Sequence, residues 1–245
     1  MNKPTLAVAT AFSGRFIPPQ WHVAMSSLQY PNNTSHVNIC TFYRTMEDAF
    51  NELAGLSLQL GSKYTLFVDD DTVIPQSTPV DLMHLLENSP DEFAVAGGIY
   101  TTRSNPPIPL VFTEPGQGTF WKWKVGEKFP CWGLGGGSMM VKTEIFSKMS
   151  KPWFKSIETV EQAREFPDVF SVEELQGLQK IEVSVDLFFF RKLANMGLKC
   201  MAHGGVLPVH YGQDGKSYWL PAHTYPTEGL KMHGKDFGWF PQPQV

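Results

Sequence analysis

Three consecutive aspartates, Asp69, Asp70 and Asp71, interrupt the stretch KYTLFVDDDTVIPQ directly after Tyr64 to Val68, whose apolar, β-favouring residues read as a buried strand. Carboxylates this close repel one another and raise each other's pKa unless a cation sits among them. The run therefore points to cation chemistry or to a solvated acidic turn closed by Pro75. Asp186, in SVDLFFFRKLANMG, falls in the first turn of a helix that Ser184 caps and Gly197 stops, where the helix dipole stabilises a carboxylate. In CWGLGGG, the glycines let a backbone approach a ligand closely, with Gly136 as the position where a side chain is least admissible. Trp132 offers a flat apolar face of the kind that stacks on a sugar ring or a base. The same text also reads as a glycine-rich hairpin with a core tryptophan. Trp121 and Trp123 alternate with Lys122 and Lys124, which suits an acceptor-facing or nucleic-acid-facing ribbon, or one strand with a buried and a wet face.

The elements that must position these groups alternate along the first half. Strands are expected at Leu6 to Phe12, Val37 to Phe42 and Tyr64 to Val68, with helices over Thr45 to Leu60 and STPVDLMHLLENS, then a strand in EFAVAGGIY. Such alternation predicts a mostly parallel sheet flanked by helices, with ligands beyond the carboxyl ends of its strands, where Asp69 to Asp71 lie. Between Thr101 and Pro130 the helical pattern gives way to proline- and glycine-rich text that suggests a small antiparallel ribbon or a long loop. A strand over Ser138 to Val141, a helix opened by Thr143, a polar stretch from Glu158 to Lys180 and the strand LKCMAH follow, and then GVLPVHYG. Residues 1–211 read as one domain; residues 212–245, rich in Gly, Pro and aromatics, read as a tail or lid.

With 245 residues and 42% hydrophobic ones, the chain can bury the core of one α/β domain. A formal charge of -4 argues against a surface that grips nucleic acid as a whole. Cys40, Cys131 and Cys200 show no CxxC spacing and an odd count, which favours free thiols in a reducing compartment. No run approaches the ~20 apolar residues of a membrane span, and the N-terminus reads as a first strand rather than a signal peptide, so a cytoplasmic location is expected.

The order of these elements (a strand ending in DDD, a glycine-rich WG turn, an acid opening a helix, then a histidine) resembles the GT-A glycosyltransferases over Thr5 to Tyr211. It is most similar to the large inverting family that includes cellulose, chitin and hyaluronan synthases, in the short soluble form found in bacteria and phages. The resemblance implies a GT-A fold and a sugar moved, with inversion, from a nucleotide-sugar donor, UDP-linked by analogy, to an acceptor hydroxyl. Asp69 and Asp71 match the DxD acids that hold Mn2+ or Mg2+ and, through it, the donor diphosphate; His210 matches a histidine brought to the same metal. Asp70 would contact the ribose or brace the metal site. Thr10, Ala11 and Phe12 match the loop around the nucleotide base, and Arg44 a basic residue facing the nucleotide or, locally, a partner for Glu47 or Asp48. Trp132, Gly135 and Gly136 match the turn where donor sugar and acceptor meet. Asp186 matches the general base, although Val185 stands where the family has a first acid, a place Glu182 could supply.

Rival readings are a noncatalytic nucleotide-sugar-binding protein of the same fold, favoured by Val185, and a nucleotidyltransferase, which ATAFSGRFIPP fits poorly because it lacks a basic, glycine-rich phosphate loop. The acceptor is open among a saccharide, a protein, a small molecule and a modified base in DNA.

Overall fold

The computed structural model describes residues 3–14, 16–104, 106–212, 214 and 217–220, so the expected tail lies almost wholly outside the described residues. In chain order the elements are β1 (Leu6–Phe12), α1 (Pro19–Ser26), β2 (His36–Phe42), α2 (Met46–Leu60), β3 (Tyr64–Asp69), β4 (Thr72–Val73), α3 (Thr78–Glu87) and β5 (Phe93–Gly98). Then come β6 (Val111–Phe112), β7 (Lys128–Cys131), β8 (Gly133–Leu134), β9 (Ser138–Lys142), α4 (Ile145–Lys148), α5 (Val160–Arg164), α6 (Val172–Leu175), α7 (Val185–Asn195), β10 (Lys199–His203), β11 (Val209–Tyr211) and β12 (Tyr218–Trp219).

Seven strands form a central sheet in the order β2-β1-β3-β9-β5-β10-β7. It is mostly parallel: β2, β1 and β3 pair in parallel, as do β5 and β10, while β9 runs against both β3 and β5 and β7 against β10. Strand periodicity explains its three layers. Ala9, Ala11 and Phe67 face one way, onto Phe50, Leu53 and Ala54 of α2; Leu6, Val8, Leu66 and Val68 face the other, onto Leu82, Leu85 and Leu86 of α3. Both faces are covered, which is why β1 and β3 read as unbroken apolar runs. On the α2 side, Phe50, Phe67, Phe146, Phe154 and Phe189 interlock edge-on and stacked, with centroids 4.8 Å apart at Phe154 and Phe189.

Local chemistry sets the ends of α2. The Thr45 side chain accepts from the Asp48 amide, and Gly61 takes a left-handed φ of 67° that closes the last turn. Ser184 departs from the expected cap: its hydroxyl bonds the Asp186 carboxylate, and no side-chain bond to the helix amides forms. The polar stretch after Glu158 folds as the short helices α5 and α6 over their own cluster of Ile157, Val160, Phe170 and Phe188. Between Thr101 and Pro130 the ribbon is minimal: β6 pairs with β8, and β7 joins the central sheet. The Trp-Lys alternation forms no strand. Trp123 is buried and serves the core, while Lys122 and Lys124 point to water.

A second, antiparallel sheet, β12-β11-β4, decides the architecture of the site. Thr72 pairs with His210 and Val73 with Val209, and the Tyr211 amide donates to the Asp71 carbonyl at 2.8 Å. Residues distant in sequence thus meet at the acidic run.

Candidate active site

Each of the three aspartates faces a different environment. Asp70 accepts from the Ser13 amide at 2.7 Å and the Ser13 hydroxyl at 2.8 Å, tying the loop after β1 to the acidic run. Asp71 pairs with the guanidinium of Arg103, and its Oδ1 lies 3.5 Å from His210 Nε2. Asp69 Oδ2 lies 3.4 Å from the Tyr100 hydroxyl, whereas its Oδ1 is buried without a partner among the described residues. Burial, reinforced by the charges of Asp70 and Asp186, pushes the Asp69 carboxyl up to about 7. The acids therefore do strain against one another.

His210 is set up to present a lone pair. Its Nδ1 is 2.8 Å from the Thr101 carbonyl, which can only accept, so Nδ1 carries the proton and Nε2 is unprotonated in the neutral ring. Burial pushes its pKa down to about 4. The Nε2 lone pair then faces Asp71 Oδ1 and the Tyr100 hydroxyl, which lies 3.1 Å away and receives its own bond from Thr72 Oγ1 at 3.1 Å. Tyr100 also stacks on His210, with centroids 4.7 Å apart. Two acceptors facing each other at 3.5 Å are natural joint ligands for a cation.

Among the described residues no three His, Cys, Asp or Glu side chains form a ready metal cluster. Of the expected metal set, Asp71 and His210 converge directly, Asp69 meets His210 through the Tyr100 hydroxyl, and Arg103 balances Asp71. Oxygen and imidazole donors, together with the orphaned Asp69 Oδ1, nevertheless fit a divalent ion.

Asp186 sits on the other side of the glycine turn. Its Oδ2 accepts from the Gly136 amide at 3.3 Å, and its Oδ1 from the Leu187 amide at 2.9 Å and from the Ser184 hydroxyl. Burial raises its pKa, and those hydrogen bonds oppose the rise. The turn leaves no room for side chains. A Cβ on Gly135 would come within 2.6 Å of the Tyr100 ring, on Gly137 within 2.7 Å of Asp69 Oδ2, and on Gly136 within 2.9 Å of Phe50. Close approach here is to Tyr100 and the carboxylates, and Gly135 and Gly137 are tighter than Gly136.

Other expected residues distribute as follows. Thr10 and Ala11 are buried inside β1, whereas Phe12 stacks on Phe42 at 5.2 Å beside exposed Tyr43. Arg44 pairs with Glu52, 3.4 Å away and well exposed, rather than with Glu47 or Asp48. Trp132 is half-buried beside the turn. Glu182 points to solvent against Lys180 and does not stand in for the acid missing at Val185, which packs on the core. Sequence reasoning missed Ser13, Thr72, Tyr100 and Arg103. The carboxyl end of β5, in GGIYTTR, was the signal for Tyr100 and Arg103.

No protein-family model and no curated protein matches the sequence. Solved structures do match. A197 from STIV aligns at 13% identity with a TM-score of 0.57, covering 93% of this chain and 98% of that one. GalNAc-T7, in a crystal structure with UDP, GalNAc and Mn2+, aligns at 12% identity with a TM-score of 0.50 over 92% of this chain. The fold is glycosyltransferase-like. The chain spans 46% of the GalNAc-T7 chain, less than half of its length. Among the described residues no helix is long and apolar enough to cross a membrane.

Proposed function

We propose that the protein is a metal-dependent glycosyltransferase that moves a sugar from a nucleotide-sugar donor to an acceptor hydroxyl, with inversion at the anomeric carbon. The observation that carries this reading is the juxtaposition, across the Gly135 to Gly137 turn, of a cation-seeking pair, Asp71 and His210, with a buried carboxylate, Asp186, in a glycosyltransferase-like fold. The UDP and Mn2+ in GalNAc-T7 support a nucleotide donor and a divalent ion.

Asp71 and His210 would hold the ion, with the unpartnered Asp69 Oδ1 as a further oxygen donor. When bound, a divalent cation offsets the negative charge that develops on a departing nucleoside diphosphate. Asp70 braces the acidic run through Ser13, and Tyr100 keeps the His210 ring oriented. Phe12 and Phe42 offer a stacked aromatic platform for the base, and Trp132 an apolar face for a sugar. Asp186 accepts the acceptor's proton, a role served by the raised pKa that burial gives it, because a more basic carboxylate takes a hydroxyl proton more readily.

A thermal-shift screen of nucleoside diphosphates and nucleotide sugars, with and without Mn2+, tests the donor site. A ligand that binds only the folded chain raises its melting temperature by mass action. One diphosphate should shift the wild type only with metal, and Asp71→Ala should abolish that shift; a wild type that responds to no pairing removes the reading.

A further inference from the structure

Arg103 belongs to a loop pinned at its base. Thr101 bridges to Pro109, the Thr102 amide donates to the Ile108 carbonyl at 2.9 Å, and the Ile108 amide donates to Thr102 Oγ1 at 3.0 Å. The same loop supplies the Thr101 carbonyl that fixes the His210 tautomer. It therefore presents two things to the acidic run at once, an oriented imidazole and a guanidinium, and the guanidinium lies on Asp71, one of the two side chains that face the cation position. Arg103 is a long side chain on a braced backbone, with 29% of it exposed, so the side chain can change partner without the loop unfolding.

Charge balance says what that change of partner does. Asp71 keeps a positive partner whether that partner is Arg103 or a divalent ion, and two positive groups on one carboxylate repel. A diphosphate arriving with the ion brings the negative oxygens that a displaced guanidinium matches, since its planar fork binds phosphate oxygens in pairs. We propose that Arg103 is a resident counter-cation that competes with the divalent ion for Asp71 and, once displaced, clamps the donor diphosphate. The metal alone is thereby disfavoured, and metal and nucleotide bind as a pair. This inference rests on the metal-and-diphosphate reading of the site and adds to it a residue that enforces their joint binding.

The test needs no turnover. Mn2+ binding without nucleotide is titrated by electron paramagnetic resonance on the wild type, Arg103→Gln and Arg103→Lys, and UDP binding at saturating Mn2+ by calorimetry on the same proteins. Removing the competing charge should tighten Mn2+ binding to Arg103→Gln by about tenfold, while losing the clamp should weaken UDP by about tenfold or more, the size expected for one charge-assisted contact. Arg103→Lys, which keeps the charge and loses the fork, should bind Mn2+ like the wild type and UDP more weakly. If the wild type binds Mn2+ and UDP but Arg103→Gln binds both unchanged, the inference falls and the metal site stands. If Arg103→Gln binds Mn2+ more weakly, the arginine supports the ion and does not compete with it, which also overturns the inference. A wild type that binds neither ligand removes the inference and the underlying reading together.

Discussion

Asp71 and Asp186 are carboxylates on either side of one glycine turn, yet they are held by opposite means. Asp71 is balanced by a full positive charge, Arg103, and faces the lone pair of His210. Asp186 is held by dipoles alone, two backbone amides and a hydroxyl, with no cationic partner among the described residues. A charge-balanced acid is suited to hold a cation, whereas a buried acid with neutral partners gains basicity and is suited to hold a proton. On the turn, Gly136 packs beside Asp186 and Gly137 against Asp69.

The sharpest way to break this contrast is to remove the charges one at a time. Asp71→Ala should lose both the metal-dependent thermal shift and sugar transfer. Asp186→Asn should keep the shift and lose about 10²- to 10⁴-fold in kcat, the usual weight of a general base. A variant of Asp186 that also loses the shift would merge the two roles. Stability supplies a second readout. Because the folded chain binds the Asp186 proton more tightly than the unfolded chain, stability is greatest below the unfolded carboxylate pKa and falls as pH rises through the raised value. Asp186→Asn should therefore melt above the wild type near pH 8, with the gain shrinking toward about pH 4.

Next in size is the wall between the two acids. Gly137→Ala places a Cβ within 2.7 Å of Asp69 Oδ2 and of the Tyr100 ring. Overpacking of this kind costs about 1–3 kcal/mol, which a chemical denaturation curve would register. An unchanged midpoint would show that Tyr100 yields easily and that the wall is soft. Smaller again is Ser184→Ala, which removes a hydrogen bond to the Asp186 carboxylate. That bond favours the charged form, so its loss should move the acid limb of the pH–rate profile upward, with kcat at the plateau reduced by less than about tenfold. An immobile acid limb would assign Ser184 to folding only. The smallest effect is expected at Arg44, whose exposed pair with Glu52 contributes roughly 0–1 kcal/mol. Calorimetry on Arg44→Ala should find UDP affinity unchanged; weakening would mean that Arg44 leaves Glu52 for the nucleotide.

Strands β1 and β3 were legible because both of their faces are buried. Residues 64–68 and 6–12 carry the apolar continuity that such burial demands, and Thr45 and Gly61 mark α2 by cap chemistry that acts within one turn. The acidic run was legible for the opposite reason, as like charges where apolar text predicts none. Helix α1 was not, since it buries only Trp21 and Ala24 and opens on Pro19, which leaves little periodicity to read. Nor were Tyr100 and Arg103, because a loop held by Thr102, Ser104 and Ile108 has no period at all. The resemblance brought His210 to Asp71, but only the two-residue strand β4 shows how, and so short a strand has no sequence signature. The Tyr100 hydroxyl, 3.4 Å from Asp69 Oδ2 and 3.1 Å from His210 Nε2, bridges two members of the expected metal set, a contact that no sequence pattern announces.

The pairing of Thr72 with His210 also has a consequence in time. Tyr100 and His210 are 110 residues apart along the chain, and a ribosome adding about 5–20 residues per second needs on the order of ten seconds to bridge them. During that interval the acidic strand end is made but its histidine is not, so the nascent chain carries an unfinished, self-repelling edge. The Asp71–His210 pair is complete only once residue 210 has been synthesised.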